Sequence, residues 1–272
     1  MSNQISLREL QLEELEILRI ITKYIDAKNL KYYRSGGTLL GAVRHKWFIP
    51  WDDDIDIIMP RNDYEKLMQF LKKEPLKEEN LKAVSFELNN SNRPFGKIIN
   101  TDISIESKSK EDRYLWIDIF PIDGLPDDRE KAIKHIKSIL KYKGMIYLKA
   151  TTFKEIKKEK KSLMNRYLKI VLKFITLLIP IKYCAKRINK LAKRYDYGSS
   201  KYVGTTVWPD GEKSIQERKW HKDTVNFEFE GYEFNAFVGW REYLITMYGD
   251  YMKLPPEVER INHQVKASRN GK

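Results

Sequence analysis

Apolar residues fall at helical spacing near the start of the chain, at Leu7, Leu10, Leu15, Leu18, Ile21 and Ile25, and predict an amphipathic helix over 7–28. Ser6 with Glu9 is a capping-box pair that opens it. Lys31 to Arg34 then suits a short strand, Gly36-Gly37 interrupts it, and Thr38 to His45 reads as a short helix. Pro50 to Asp53 forms a turn, and Ile55, Ile57, Ile58 and Met59 make a strand that Pro60-Arg61-Asn62 stops. Asn62 with Glu65 gives a second capping box, for a helix through Leu71. Further strands are expected at Ala83–Leu88, Phe95–Ile99, Ile103–Glu106 and Leu115–Phe120, and helices over 129–196. Phe227, Phe229, Tyr232 and Phe234 alternate around Glu230-Gly231 as a hairpin would, and a last helix covers Arg241 to Tyr248 before Pro255-Pro256. Helices and strands in this order predict an α+β fold, a mixed sheet flanked by helices.

The chain has 272 residues, enough for one large domain or a core with an added lobe. An apolar fraction of 42% supplies a real core and excludes disorder and collagen. With Cys184 as the one cysteine, a disulfide scaffold is excluded and a reducing compartment expected. Residues 1–10 show no basic start followed by an apolar run, and no stretch approaches the ~18–20 uncharged apolar residues of a membrane span, so a soluble cytoplasmic protein is expected. The net charge of +13 is unevenly spread. Residues 129–201 hold 22 Lys and Arg against four acids, so the rest of the chain is net negative. The expected organisation is a core of 1–128 plus 202–272 and a basic helical lobe at 129–201. Such a lobe can meet nucleic acid, an anionic membrane or an acidic polymer, or can simply be a solvated face.

The chemistry concentrates between 36 and 61. On a strand, Asp54 and Asp56 point the same way, about 7 Å apart at Cα, with Ile55 and Ile57 on the opposite face. Carboxylates aimed at one spot repel unless a cation lies between them, and hard oxygen ligands suit Mg²⁺ or Mn²⁺. Gly36-Gly37, followed by Thr38 at the opening of a helix, offers backbone N–H groups to a phosphate. The same residues are compatible with an acidic turn and an edge strand. Asp118 stands alone among Trp116, Ile117, Ile119 and Phe120 on a predicted strand and would complete the site. Asp123, before Gly124, is explained by turn formation. Arg44 and Lys97 are candidate phosphate-binding cations. His45 after an arginine reads as structural, and His221 and His263 have no partner at zinc-ligand spacing. Neither a nucleophile elbow nor a Walker or dinucleotide loop is present.

The run GGTLLGAVRHKWFIPWDDDIDIIMPR from Gly36, with PFGKI (Pro94 to Ile98), WIDIFPIDGLP (Trp116 to Pro126) and YGDYMKLPP (Tyr248 to Pro256), resembles the LicD/fukutin family, in the family's order and over roughly residues 30 to 262. The sequence departs from the family's run at Trp47, where glycine is usual, a change expected to reshape the acceptor entrance. The resemblance implies a nucleotidyltransferase-like fold and transfer of a phosphoalcohol, typically phosphocholine from CDP-choline, to a hydroxyl of a glycan such as a teichoic acid or lipopolysaccharide precursor. It implies Gly36, Gly37, Asp54, Asp56 and Asp118 as the metal–nucleotide site, with Asp52 as a further ligand. In that reading one or two Mg²⁺ or Mn²⁺ ions bridge the diphosphate of a CDP-alcohol, the acceptor attacks the distal phosphorus in line, and CMP leaves. Asp118 is then a shared ligand or a general base.

A transferred choline needs aromatic faces around its quaternary ammonium, with Trp116, Trp208, Trp220, Trp240 and Tyr232 as candidates. The stretch Leu163 to Ile179 carries Lys169 and Lys173 on one face of an otherwise mostly apolar helix, a pattern that suits either a membrane interface, useful for a lipid-linked glycan acceptor, or a buried helix under lysine stems. The expected place is therefore the cytoplasm, with peripheral contact at the inner face of the membrane. Two alternatives remain: nucleotidyl transfer that leaves the nucleoside monophosphate on the acceptor, and a basic nucleic-acid-binding module. Against the latter, no helix-turn-helix, zinc or RNA-recognition signature is found, so no nucleic-acid partner is expected.

Overall fold

A computed structural model describes residues 4–107, 110–158, 162–260 and 266–270; His263 lies outside them. In chain order the elements are β1 (Gln4–Ile5), α1 (Leu7–Ala27), β2 (Tyr33–Arg34), α2 (Gly36–Arg44), β3 (Asp56–Pro60), α3 (Arg61–Lys73), β4 (Leu81–Val84), β5 (Gly96–Ile105), β6 (Tyr114–Leu125) and α4 (Arg129–Ala150). There follow α5 (Phe153–Lys158), α6 (Leu163–Leu177), α7 (Ile181–Ala192), β7 (Tyr202–Gly204), β8 (Gln216–Glu217), β9 (Thr224–Phe229), β10 (Tyr232–Phe237), α8 (Trp240–Tyr248) and β11 (Ala267–Arg269). The fold is α+β. Its main sheet runs β1-β11-β5-β6-β3-β2, with β4 on β5 and β7 and β8 continuing from β6; β9 and β10 form a separate hairpin. β3 and β6 are parallel, whereas β5 meets β6 antiparallel.

Side-chain alternation decides which face carries chemistry. Ile55, Ile57 and Met59 of the β3 segment, with Ile117 and Ile119 of β6 and Ile98 of β5, pack under α1 and α3 through Leu18, Ile21, Tyr64 and Leu67. Ile58 and Ile122 point the other way, against Leu39 of α2 and Tyr243 and Leu244 of α8. Further along that second face Phe95 packs with Ile139 of α4 and Ile188 of α7. The opposite face is thus covered at both sides and open between them.

Several elements differ from their sequence expectation for visible reasons. The Ser6–Glu9 capping box forms, but the second does not: α3 starts at Arg61 behind Pro60, so Asn62 lies inside the helix. The stretches 95–99 and 103–106 are one strand, because the polar Asn100 to Asp102 segment is absorbed as a register shift between Asn100 and Ser104. β6 continues through Pro121 to Leu125, which makes Asp123 a strand residue and not a turn former. Its carboxylate is buried and takes a bidentate pair from Arg61, Nε to Oδ1 at 2.6 Å and Nη2 to Oδ2 at 2.8 Å, plus the Thr206 hydroxyl at 2.8 Å. Cys184 is buried, as a packing residue would be. The expected hairpin forms, with Glu230 and Gly231 both at positive φ, 55° and 77°.

Candidate active site

Asp56 and Asp118 are register partners on the adjacent parallel strands β3 and β6, and Lys97 of β5 is the antiparallel partner of Asp118. Lysine, aspartate and aspartate therefore stand in a row across three strands, on the face turned away from α1. Asp54 and Asp52, in the segment before β3, join Asp56 and Asp118 in the wall of one cavity of about 470 Å³. Its remaining wall comes from Ser35, Gly36 and Gly37 at the start of α2, Ile49, Phe120 of β6, the segment Thr205, Trp208, Asp210, Ser214 and Gln216, and Tyr243, Met247 and Tyr248 of α8.

The glycine pair is explained by the carboxylates beside it. Gly36 sits at φ 56°, and a Cβ there would lie 3.0 Å from Asp56 Oδ2; a Cβ on Gly37 would collide with Asp52 Oδ2. Ser35 makes no side-chain cap, and the start of α2, Ser35 to Gly37, lines the cavity. The Gly36 N–H donates to the Tyr243 hydroxyl at 3.0 Å. Thr38 does not line the cavity: it is buried, and its Oγ1 accepts the Asp56 N–H at 2.9 Å, pinning the start of β3 to α2.

Crowding sets the electrostatics. Withdrawal from water, then the charges of Asp54, Asp118 and Asp52, pushes the Asp56 carboxyl well above its usual range. Asp118 is also raised by withdrawal from water, against the opposing pull of Lys97 and Arg93. Asp118 Oδ2 accepts from Trp116 Nε1 at 3.2 Å, and Oδ1 lies 3.4 Å from Lys97 Nζ. Behind them Glu14 of α1 is buried, and burial followed by the charges of Asp54 and Asp53 raises it as well. Concentrated negative charge in hard oxygens fits a divalent cation as donor chemistry. The carboxylates stand around the cavity and are not drawn to one point: among the described residues no three Asp, Glu, His or Cys side chains gather so as to hold an ion.

Two expected phosphate ligands are placed elsewhere. Lys97 is buried behind Asp118, 3.0 Å from Asp112 Oδ1 and over the Trp116 ring at 3.8 Å, outside the cavity wall. Asp112 also pairs with Arg93. Arg44, at the far end of α2, donates to the Tyr251 carbonyl at 2.9 Å and so holds the loop after α8. His45 caps the same helix end and is outside the cavity. Trp47 is exposed over a separate groove with Leu7, Arg8 and Glu230 and is not in the wall of the carboxylate cavity. Of the five aromatic candidates only Trp208 lines the cavity: Trp116 holds Asp118, Trp220 and Trp240 are half-buried and pack against the core, and Tyr232 stacks on Arg19 at 4.3 Å. The missed wall residues include Ser35, Ile49, Phe120, Thr205, Asp210, Ser214, Gln216, Tyr243, Met247 and Tyr248. Their one signal was the blocks of family resemblance, which contain Ile49, Phe120 and Tyr248.

A family model described as LicD/FKTN/FKRP, nucleotidyltransferase domain, matches residues 29–157, the stretch that contains α2, β3, β5 and β6. The lipopolysaccharide cholinephosphotransferase LicD of Haemophilus influenzae is 30% identical over 97% of this chain and 97% of its own. The chain belongs to the LicD family. This LicD-family protein is a phosphoalcohol transferase in class. Ribitol 5-phosphate transferase FKRP of Homo sapiens shares 43% identity with it over 42 residues, 15% of this chain and 8% of FKRP. An uncharacterized Rickettsia prowazekii protein shares 36% over 114 residues, 41% of this chain and 40% of its own.

Proposed function

We propose that this protein transfers a phosphoalcohol from a CDP-alcohol, with phosphocholine from CDP-choline as the leading case, to a hydroxyl of a lipopolysaccharide or teichoic acid precursor, releasing CMP. The observation that carries the reading is the pairing of Asp56 with Asp118 across adjacent strands in a cavity whose other wall is aromatic. The volume of about 470 Å³ is that of a small-ligand site, for which ~300–1,000 Å³ is usual. The similarity to the choline-transferring relative favours the donor over other CDP-alcohols.

The acidic half of the cavity takes the diphosphate. A bound Mg²⁺ or Mn²⁺, held by Asp56 and Asp118 with Asp54 and Asp52 beside them, would supply neutralisation of the phosphate charge. The chain's own part is positional. Gly36 and Gly37 let backbone and carboxylates approach one another, and Tyr243 fixes the α2 terminus. Trp116 and Lys97 hold Asp118 in one orientation, and its raised pKa suits it to accept the acceptor hydroxyl's proton. The aromatic half, Phe120, Trp208, Tyr243 and Tyr248 with the Asp210 carboxylate, suits a quaternary ammonium. The Trp208 ring is held by Phe95 at 5.5 Å and by Lys143 at 5.0 Å. The proposed reaction is cytoplasmic, beside the membrane that carries the acceptor.

The test is incubation of the protein with Mg²⁺, a panel of CDP-alcohols and a glycan acceptor, reading CMP release and product mass. CMP release with gain of phosphocholine on the acceptor is expected. Gain of CMP by the acceptor would replace the reading with nucleotidyl transfer, and inertness toward every cytidine diphosphate compound would overturn it.

A further inference from the structure

Helix α6 is built inside out. Its cationic side chains Arg166, Lys169 and Lys173, with Thr176, follow one another at three- and four-residue spacing on the more buried side, Lys173 and Thr176 being buried, while Asn165 is exposed. Its apolar residues face outward: Leu163 is 77% exposed, Leu168 54%, Phe174 58% and Leu178, at the helix end, 85%. A soluble helix places these two sets the other way round.

Hydrogen bonding fixes this orientation. Lys173 Nζ donates to the carbonyl oxygens of Leu148 at 3.1 Å, Lys149 at 3.1 Å and Thr151 at 2.5 Å, at the C-terminal end of α4. Lys149 Nζ in return donates to the Leu177 and Ile179 carbonyls at 3.3 and 2.8 Å, at the end of α6. Each lysine thus caps the orphan carbonyls and negative dipole end of the other helix. Arg166 adds a bond to the Lys157 carbonyl at 2.9 Å. Turning the apolar face inward would break all of these, so the outward stripe follows from the same contacts that seat the helix.

The surroundings say what covers the stripe. Exposed Lys154, Lys157 and Lys158 precede α6, and exposed Lys182, Lys186 and Lys190 lie on α7. Neither helix carries an acidic residue. Tyr147, Tyr167 and Tyr183 are exposed at the margins, the residue type that settles at headgroup level. Nucleic acid has no use for an apolar face of this size, and a second copy would set a strongly basic segment against itself. With 15 residues α6 is shorter than the ~20 needed to span a bilayer, and no helix among the described residues is long and apolar enough to cross one.

We propose that α6 lies in the surface of an anionic lipid bilayer, apolar face among the acyl chains and lysine rim on the headgroups. The proposal is independent of the transfer reaction, and its test needs no substrate. The full chain is mixed with phosphatidylcholine vesicles, with or without roughly a third phosphatidylglycerol, and separated by flotation. It is expected to float with the anionic vesicles, at least about tenfold more weakly with neutral ones, and less as salt rises. Leu168→Glu with Leu172→Glu, both exposed and remote from the cavity, should cut binding about tenfold or more with unchanged melting. Lys157→Glu with Lys158→Glu should weaken only the anionic case. Absence of wild-type flotation, or equal binding to neutral vesicles, overturns the proposal. So does a dimer in light scattering that the double leucine variant returns to monomer.

Discussion

Asp56 is the residue on which most of the site's electrostatics converges: burial first, and then the charges of Asp54, Asp118 and Asp52, raise its proton affinity. A group whose charge is disfavoured in the folded protein costs stability, as functional groups often do. Asp56→Asn therefore should leave the thermal midpoint unchanged or raise it, while transfer, followed by CMP release, falls by roughly three orders of magnitude, the scale of losing a key electrostatic group. A variant that loses activity together with its fold would instead make Asp56 a structural residue. Lys97 separates two roles in another way. As a ligand for the donor's phosphates its loss would raise KM; placed behind Asp118 and Asp112, it orients a carboxylate. Lys97→Gln is expected to lower kcat by roughly 10–100-fold, the usual scale for a partner that orients a site ligand, with KM nearly constant. Steady-state kinetics on the CDP-alcohol decides between them. Sequence alone offers Lys97 only as a candidate phosphate cation, because the register that sets it beside Asp118 is a property of strand pairing.

At the scale of elements, the Arg61–Asp123 pair ties the first residue of α3 to the extended end of β6, and Thr206 joins it to the segment that walls the cavity. Both side chains are nearly inaccessible. Removing one partner strands a buried charge, so Asp123→Ala should cost about 3–5 kcal/mol in urea unfolding, and the double change with Arg61→Ala less than the sum of the two singles. Sequence periodicity had no means of finding this pair. A carboxylate before glycine reads as a turn, and only a strand that continues through Pro121 carries Asp123 into the interior. What was legible has a local cause: the α1 capping box, the alternation at Ile55, Ile57 and Met59, and the Glu230-Gly231 turn. The strands β1, β7, β8 and β11 were not legible, since each has only two or three residues and exists through its partner. The acidic wall of the cavity was readable because Asp52, Asp54 and Asp56 are near neighbours in sequence. The aromatic wall was not, because Trp208, Tyr243 and Tyr248 reach it from separate segments.

For the molecule as a whole, acid stability has an identifiable source in His221. Burial pushes its imidazole from the ordinary 6.5 down to about 3, with Nε2 on Gln216 at 2.7 Å and the rings of Tyr33 and Phe237 around it. Unfolded chains take up this proton below about pH 6.5 and the folded protein does not, so stability is full above that pH and falls as pH drops toward 3. The slope approaches ~1.4 kcal/mol per pH unit for this one group. His221→Phe should flatten that part of a pH series of urea unfolding curves, whatever it does to the absolute value. Ligand binding acts over the same whole. The cavity is walled by residues 35–56, by 118–120 and by 205–248, so a donor seated there bridges β3 and β6 to α8 across most of the chain. Binding to such a site stabilises the entire cooperative unit and not one corner of it. At a hundredfold excess over Kd the gain is about 2.7 kcal/mol, which for a chain of this size raises the thermal midpoint by roughly 5–10 °C. CDP-choline with Mg²⁺ is expected to produce that shift as a single sharper transition, and Asp118→Asn to abolish it. A shift that survives in Asp118→Asn would place the ligand outside the paired aspartates.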